Sequence, residues 1–153
     1  MLKAIILSDS HGKVMNMIDA YEREENIDMV MFAGDVHSDA EEFMLAYPKV
    51  CVAEVLGNND FFVRNVPEER IFTFGGKKML LVHGHRLGVK YSTAQLLAYG
   101  KRVGADICVF GHTHSRTYEV TDGITLINPG TAARSYAVLT VDGDEIKAEF
   151  KDI

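Results

Sequence analysis

Short apolar runs recur along this chain, and each ends abruptly in a loop of glycine and polar residues. Four of these runs have the length of a β-strand: residues 3–8, 28–33, 50–56 and 106–110. Runs that are apolar on both faces are typical of strands in a sheet that is covered by helices. The repeated change from strand to helix therefore predicts an α/β fold with buried parallel strands.

Helices and hairpins are expected between and after these strands. Apolar residues recur at helical spacing from Val14 to Tyr21, and we expect further helices at residues 39–47 and 93–103. A turn at two glycines predicts a hairpin of residues 70–74 and 77–82. Two sheets packed face to face, with helices outside, accommodate these elements. The last third of the chain predicts an antiparallel meander of residues 116–121, 124–128, 136–141 and 145–151.

Length and composition narrow the class of protein. A chain of 153 residues fits one domain, so we expect a single domain at residues 1–153. A formal net charge of −6 argues against nucleic-acid binding, which depends on basic patches. The apolar run at residues 2–7 is too short for a signal-peptide core or a membrane span. Cys51 and Cys108 lie in apolar runs, and we expect two buried thiols in a cytoplasmic protein.

Side chains that bind metals are concentrated at the ends of the predicted strands, where α/β sheets place their ligand sites. Residues two apart point the same way if the strand geometry continues into the loops. Imidazole and oxygen ligands without thiolate suit Mn, Fe, Zn, Ni or Co, and fit Ca or a Cys-rich zinc site poorly. The set is large enough for two ions if one carboxylate bridges them. Its members are Asp9, His11, Asp35, Asn58, His83, His112 and His114.

Each motif has an ordinary structural explanation when it is taken alone. Asp9-Ser10-His11 is compatible with a helix-capping turn, and Gly57-Asn58-Asn59-Asp60 has the composition of a common turn. Two histidines at the end of one strand, His112 and His114, are seldom needed for packing. The coincidence of such residues at several separate strand ends favours a metal site.

Taken in order along the chain, the motifs resemble those of the calcineurin-like metallophosphoesterase superfamily, and most closely its compact YfcE/MJ0936-type phosphodiesterases. This resemblance implies a four-layer α/β-β/α sandwich of two mixed sheets flanked by helices. The motifs that carry it are Asp9-Ser10-His11, Gly34-Asp35, Gly57-Asn58-Asn59-Asp60, His83-Gly84-His85, Gly111-His112-Thr113-His114 and Asn128-Pro129-Gly130-Thr131.

The resemblance also implies a ligand set, a cofactor and a reaction. Two divalent ions are expected, Mn first and Ni, Zn, Fe, Co or Mg as alternatives. A hydroxide that bridges them would attack a small phosphate ester, with diesters favoured over monoesters, and a homodimer or larger homo-oligomer is possible. The first ion corresponds to Asp9, His11, Asp35 and His114, and the second to Asp35, Asn58, His83 and His112, with Asp35 as the bridge.

One position departs from the wider superfamily, which commonly has a histidine after the metal-binding Asn. Asn59 stands there, so protonation of poor leaving groups is in question. Asn58 and Asn59 are expected to donate hydrogen bonds to the substrate, and Asp60 to orient a neighbouring histidine. His85 is expected to face the same cavity.

Four residues near these motifs are further candidates. His37 is a possible proton donor or else an exposed loop histidine. Arg134 is a candidate for binding a phosphate or else a surface residue. Phe61 and Phe62 are candidates for an apolar wall, with at least one of them expected in the core.

Three other functions remain as alternatives. A protein-interaction scaffold of the Vps29 type shares this fold, but such relatives have lost metal ligands that are all present here. A metallo-β-lactamase-like hydrolase needs a His-x-His-x-Asp-His cluster, which the chain does not contain. A large protein phosphatase is disfavoured by the short chain and by Asn59.

Overall fold

Ten strands and three α-helices form the fold, and the computed structural model describes all residues, 1–153. In chain order, the elements are β1 (Leu2–Leu7), α1 (Val14–Glu22), β2 (Met29–Phe32), α2 (His37–Ala46), β3 (Val52–Glu54), β4 (Glu69–Phe74), β5 (Lys77–Val82), α3 (Ala94–Val103), β6 (Ile107–Val109), β7 (Arg116–Thr121), β8 (Ile124–Pro129), β9 (Ser135–Asp142) and β10 (Glu145–Asp152). A short 3-10 helix, His85–Leu87, follows β5.

The strands form two mixed five-stranded sheets. One has the order β10-β9-β1-β2-β3 and the other the order β4-β5-β6-β8-β7. In the first sheet β1, β2 and β3 run parallel, and in the second β5, β6 and β8 run parallel. Parallel strands end at the same edge of a sheet, so the loops that follow them are gathered at one edge.

Alternation of side chains along the strands produces the layers. Ile6 of β1 and Leu81 of β5 belong to one buried cluster between the two sheets. Their neighbours point the other way: Ile5 packs against Met17 of α1, and Leu80 packs with Leu96 of α3. The order is thus helices, sheet, sheet, helix, and the predicted four-layer α/β-β/α sandwich is confirmed.

The predicted antiparallel meander in the last third is wrong. Both of its hairpins exist, β7 with β8 and β9 with β10, but they belong to different sheets. β9 pairs with β1, from the start of the chain, and β8 pairs with β6 in a parallel arrangement. A local pattern shows where a hairpin turns, but it does not show which distant strand completes each sheet.

Two smaller expectations also need correction. Cys51 is exposed, because β3 begins only after it, at Val52, whereas Cys108 in β6 is buried as expected. The second helix begins at His37, two residues earlier than predicted. None of the helices is long and apolar enough to cross a membrane.

Candidate metal centre

The loops that carry the candidate metal ligands leave strand geometry at once. Asp9, His11, Asp35, His112 and His114 all have positive φ angles, between 41° and 68°. Strand geometry therefore does not continue into these loops, and the condition under which residues two apart would point the same way is not met. Residues other than glycine rarely adopt this left-handed backbone conformation, and those that do often cluster at functional sites. Here the left-handed turns bend the loops so that their side chains meet.

Asp9 lies at the centre of the cluster. Its Oδ2 accepts hydrogen bonds from the Ser8 hydroxyl at 2.7 Å and from the backbone N–H of His112 at 2.9 Å. Its Oδ1 is fully buried and has no hydrogen-bond partner. This oxygen is instead surrounded by the Nε2 atoms of three histidines: His114 at 3.2 Å, His11 at 3.7 Å and His83 at 3.8 Å.

His83 directs its second ring nitrogen into the same space. Its Nδ1–H donates to the Ala33 carbonyl at 2.7 Å, which orients the ring and leaves Nε2 facing the cluster. Asn58 Oδ1 lies 2.9 Å from this Nε2, and His112 Nδ1 lies 3.2 Å from it. Asn58 Oδ1, His83 Nε2 and His112 Nδ1 are all atoms that can bind a cation, and they face one another across this space.

Asp35 connects the two ends of the cluster. Its Oδ2 lies 3.5 Å from His83 Nε2 and 4.0 Å from His11 Nε2, and the carboxylate is almost fully buried. Both of its oxygens also accept hydrogen bonds from Asn59, whose backbone N–H reaches Oδ1 and whose side-chain amide reaches Oδ2. Asn59 thus holds Asp35 in place, a contact that the sequence did not suggest.

The donor set fits divalent cations. Two overlapping groups have their ligand atoms within 4.8 Å of one another: Asp9 with His11 and His114, and Asp9 with Asp35 and His83. The pKa of His112 is lowered, first by burial and then by the neighbouring His83 and Lys90, so its ring is neutral at pH 7. Imidazoles around an unpartnered buried carboxylate oxygen are suited to borderline ions such as Mn, Fe, Co, Ni and Zn.

Comparison with protein families identifies the chain. The model of the calcineurin-like phosphoesterase superfamily domain matches residues 2–144. The chain belongs to this superfamily. The names of the family and of its curated members support a hydrolase, and the family implies divalent metal ions, for which this cluster offers candidate ligands.

Curated relatives are similar over nearly the whole phosphoesterase chain. Probable metallophosphoesterase YsnB of Bacillus subtilis is 30% identical, with 99% of this chain and 91% of that protein covered. Phosphodiesterase MJ0936 of Methanocaldococcus jannaschii is 26% identical, with 99% and 98% covered. The resemblance seen in the motifs is thereby confirmed.

Solved structures show the same architecture. A protein of Streptococcus pneumoniae described as a predicted phosphoesterase has a TM-score of 0.84 and 25% identity, with 99% of this chain and 89% of that chain covered. Vps29 of Entamoeba histolytica complexed with Zn²⁺ has a TM-score of 0.79 and 20% identity, with 99% of each chain covered. At that identity, the second likeness concerns the fold alone.

Several residues of this chain position the site without belonging to the predicted ligands and catalytic residues. Asp39 at the start of α2 accepts hydrogen bonds from the Ser10 hydroxyl at 2.6 Å and from Gly12 N–H at 2.7 Å, so it fixes the loop that carries His11. Asn128 donates to the Gly111 carbonyl at 2.9 Å and to the Thr113 hydroxyl at 3.0 Å. Asn128 belongs to the Asn128-Pro129-Gly130-Thr131 motif, but the sequence did not indicate its partners, and Asp39 carried no sequence signal, because both bond to residues far away along the chain.

Asp60 acts on the backbone and not on a histidine ring. Its Oδ2 accepts hydrogen bonds from Gly57 N–H at 2.7 Å and Asp35 N–H at 3.1 Å, and its Oδ1 accepts one from His37 N–H at 2.7 Å. The expectation that Asp60 orients a histidine ring is therefore wrong. Asp60 joins the loop after β2 to the loop after β3, and these loops carry Asp35 and Asn58.

The structure does not bring His37 to the cluster. Its ring lies between two carboxylates, with Nδ1 3.0 Å from both oxygens of Glu54 and Nε2 3.1 Å from Glu41. Burial lowers the pKa of His37, but the hydrogen bond and charge of Glu54, aided by Glu41, outweigh it, and the pKa is raised. Its two carboxylate partners thus favour the charged form of the ring, which belongs to a polar group joining α2 and β3.

His85 does lie beside the predicted ligands. Its ring centroid is 5.5 Å from that of His83 and 6.2 Å from that of His112, and its Nδ1 is buried without a hydrogen-bond partner. Burial and the adjacent His83 lower the pKa of His85, so the ring is neutral at pH 7. The residue is only partly buried, so its ring can contact a substrate that enters next to His83 and His112.

Phe61, Phe62 and Arg134 are all on the surface. Phe61 is 70% exposed and Phe62 is fully exposed, so the expectation that one of them belongs to the core is wrong. Phe62 also has a positive φ of 61°. Arg134 is exposed and lines a cavity together with His11 and His114.

Proposed function

We propose that this protein is a metal-dependent phosphodiesterase with two divalent ions, Mn²⁺ foremost. In this proposal one ion is held by Asp9, His11, Asp35 and His114, and the other by Asp35, Asn58, His83 and His112. The substrate is a small phosphate diester. Its catalytic contacts are proposed to involve Asn58 and His85, with Asn59 and Asp60 as positioning residues. A cytoplasmic location and a homo-oligomeric state stay predictions.

One observation carries the proposal: the buried Asp9 Oδ1 that has no hydrogen-bond donor. A buried carboxylate oxygen left without a partner is costly, because it has lost its hydration. Here three imidazole nitrogens approach this oxygen within 3.8 Å. Cations bound by these groups would supply the missing compensation, and this supports ligation at Asp9.

For the expected chemistry, the main task of the protein is to hold the metal ligands in fixed positions. Divalent ions supply positive charge for the phosphoryl oxygens and acidify a water molecule at neutral pH. His83, whose Nδ1 is fixed by Ala33, offers its Nε2 in a set orientation. Asp35, held by Asn59, keeps its carboxylate between His11 and His83. These contacts are expected to keep the ligands in place through the reaction.

Two observations favour diesters with good leaving groups. The amide of Asn59 is committed to Asp35, and His37 is committed to Glu41 and Glu54, so neither is free to protonate a departing oxygen. Among the relatives, the M. jannaschii protein carries the name phosphodiesterase. Esters that leave without protonation are therefore expected to react fastest.

The first experiment measures metal content and hydrolysis together. The protein is stripped of metal and assayed on bis-p-nitrophenyl phosphate and p-nitrophenyl phosphate after addition of Mn²⁺, Ni²⁺, Zn²⁺ or Mg²⁺. Bound metal is quantified by elemental analysis. We expect two ions per chain and metal-dependent cleavage that is faster for the diester.

Variants connect this activity to the cluster. His112→Ala and Asp35→Asn are expected to lose bound metal and most of the hydrolysis. Asp144→Asn is the matched control, because Asp144 is fully exposed in the turn between β9 and β10 and does not belong to any loop that carries a proposed ligand. Undiminished hydrolysis in both cluster variants would reject this site.

A protein-interaction scaffold is the alternative function, and the likeness to Vps29 supports only a shared fold. All seven ligand positions in this chain carry metal-binding side chains, as an enzyme requires. Two ions bound with no turnover on either ester would instead favour the scaffold.

A further inference from the structure

A cavity of about 480 Å³ opens at the His11–His114 end of the metal-ligand cluster. These two histidines form part of its wall, so a molecule bound in it lies beside the proposed metal ions. Lys13 and Arg134 also line it, and no carboxylate does. In a chain with a net charge of −6, this cavity is locally positive.

We propose that Lys13 and Arg134 form a subsite for a second phosphate group of the substrate, one that does not react. The inference rests on the proposed phosphodiesterase activity and names the class of substrate more closely. That class is phosphodiesters that also carry a phosphomonoester group.

The charges of Lys13 and Arg134 are available for a ligand. Both side chains are exposed, and neither makes a hydrogen bond or an ion pair within the protein. Several other basic residues of the chain are instead paired with carboxylates. Arg86, for example, binds Glu68 through two nitrogens at 2.5 and 2.9 Å, and Lys151 binds Glu24 at 2.6 Å.

The backbones that carry these two cations are fastened to the metal-ligand loop. Thr131 donates through its hydroxyl to the Asp9 carbonyl at 2.8 Å, which ties the loop before Arg134 to Asp9. Asn16 of α1 donates to the Ala132 carbonyl at 3.0 Å, which ties that same loop to the helix that begins after Lys13. The start of α1 and the loop of Arg134 therefore stay at a fixed position relative to Asp9.

The chemistry of the two side chains suits a phosphate. A guanidinium group binds two phosphate oxygens at once, and an ammonium group adds a point charge. Binding sites for small molecules commonly measure roughly 300–1,000 Å³. The cavity thus has room for more of a substrate than the phosphoryl group that reacts at the metals.

The test compares two chromogenic diesters that differ in one group. Thymidine 5′-(p-nitrophenyl phosphate) is assayed with and without a phosphate at the 3′ oxygen. Because hydrogen bonds between charged groups are strong, we expect kcat/KM to be about 10- to 100-fold higher for the compound with the 3′-phosphate. Arg134→Ala and Lys13→Ala should each lower this ratio, and the double variant should bring it near one.

Two surface cations serve as matched controls. Lys49 precedes β3, at the opposite end of the strand from Asn58, and Arg102 lies on α3 over the ring of Tyr99. Lys49→Ala and Arg102→Ala should keep the wild-type ratio. A wild-type ratio near one, or a ratio that Arg134→Ala does not change, would overturn the proposal.

A binding measurement separates this inference from the proposed function. Thymidine 3′,5′-bisphosphate and thymidine 5′-monophosphate are titrated calorimetrically into the protein in the presence of Mn²⁺. Tighter binding of the bisphosphate that is lost in Arg134→Ala supports the subsite even if neither diester is cleaved. Equal affinities for the two nucleotides, with both diesters cleaved equally well, reject the subsite and leave the phosphodiesterase standing.

Discussion

The side-chain amide of Asn59 donates to Asp35 Oδ2 at 2.8 Å, and the backbone N–H of Asn59 donates to Asp35 Oδ1 at 3.0 Å. Asp35 is the carboxylate proposed to bridge the two ions, so its orientation decides whether both can bind. Loss of a group that orients a metal ligand typically costs about 10- to 100-fold in metal affinity. We therefore expect Asn59→Ala to weaken Mn²⁺ binding by that factor, as measured by calorimetric titration.

The control for this variant is a neighbouring asparagine. Asn65 is exposed and has a positive φ of 70°, which glycine adopts freely, so Asn65→Gly should bind Mn²⁺ as the wild type does. Unchanged Mn²⁺ affinity in Asn59→Ala would show that the backbone hydrogen bond is sufficient to hold Asp35.

His85 and His37 were both candidates from the sequence, and the structure separates them. His85 lies beside His83 and His112 with an unused buried nitrogen, whereas His37 is bound by Glu41 and Glu54. We expect His85→Ala to lower kcat/KM for the diester by about 10- to 100-fold, the effect of one lost hydrogen bond to a charged group, with Mn²⁺ affinity retained.

The corresponding change at His37 provides the comparison. His37→Ala should leave kcat/KM within about twofold and lower thermal stability, since surface substitutions have small effects unless they break an ion-pair group. A larger loss of activity in His37→Ala than in His85→Ala would contradict this prediction and support His37 as the proton donor.

The sequence predicted the strands near the site better than the details of their loops. The candidate ligands follow directly after the apolar runs that form the strands. This change from apolar to polar residues can be seen in a short stretch of sequence, so it could be predicted. The strand pairing of β9 with β1 is a contact between the two ends of the chain, and no local pattern encodes it. The same is true of the contacts that Asp39 and Asn128 make with the ligand loops, although Asn128 itself lies in a recognisable motif.

The backbone conformation of the ligand residues was the other feature that the sequence did not predict. An alternating strand would point Asp9 and His11 the same way, but both residues have left-handed backbones, as do His112 and His114. As a result His114 reaches Asp9 Oδ1, while His112 reaches His83. The energy of packing and hydrogen bonding around Asp9 sets these turns, and composition does not reveal it.

Gly111 allows the loop of His112 to approach Asp9. A Cβ atom at this position would lie 1.9 Å from Ser8 Oγ and 2.8 Å from Asp9 Oδ2. Ser8 is itself bound to Asp9, so the clash would displace that carboxylate. We expect Gly111→Ala to lower the free energy of unfolding by about 1–3 kcal/mol and to weaken Mn²⁺ binding, as measured by urea denaturation and calorimetry.

Gly123 gives the matched comparison. It lies in the turn between β7 and β8 with a φ of 79°, and a Cβ there meets no atom within 4 Å. Gly123→Ala should cost roughly 1–2 kcal/mol of stability from backbone strain and leave Mn²⁺ binding unchanged. Equal Mn²⁺ affinities in the two variants would contradict the role assigned to Gly111.

Glu24 joins three strands of the first sheet through one carboxylate. Its side chain is only 4% exposed and accepts hydrogen bonds from Lys151 at 2.6 Å, Tyr136 at 2.8 Å and Lys3 at 3.2 Å. Burial raises the pKa of Glu24, but these three hydrogen bonds outweigh it and leave the pKa lowered. The unfolded chain therefore binds the proton more readily than the folded protein does.

This difference predicts how stability depends on pH. The contribution of the Glu24 carboxylate is fully present above its unfolded pKa, near 4.5, and is lost as the pH falls through the lower folded value. Glu24→Gln should cost about 1–3 kcal/mol at pH 7. Its difference from the wild type should stay constant down to about pH 5 and shrink in more acidic solution.

Urea denaturation of both proteins between pH 7 and pH 3, with chelator present, measures this difference, because the metal ligands titrate equally in the two and cancel. Glu25→Gln is the control, since Glu25 is exposed and its side chain makes no hydrogen bond. That variant should follow the wild-type profile throughout. A Glu24→Gln difference that stays the same down to pH 3 would mean that the pKa of Glu24 is not lowered by folding, and that Lys3, Tyr136 and Lys151 do not act on its charged form.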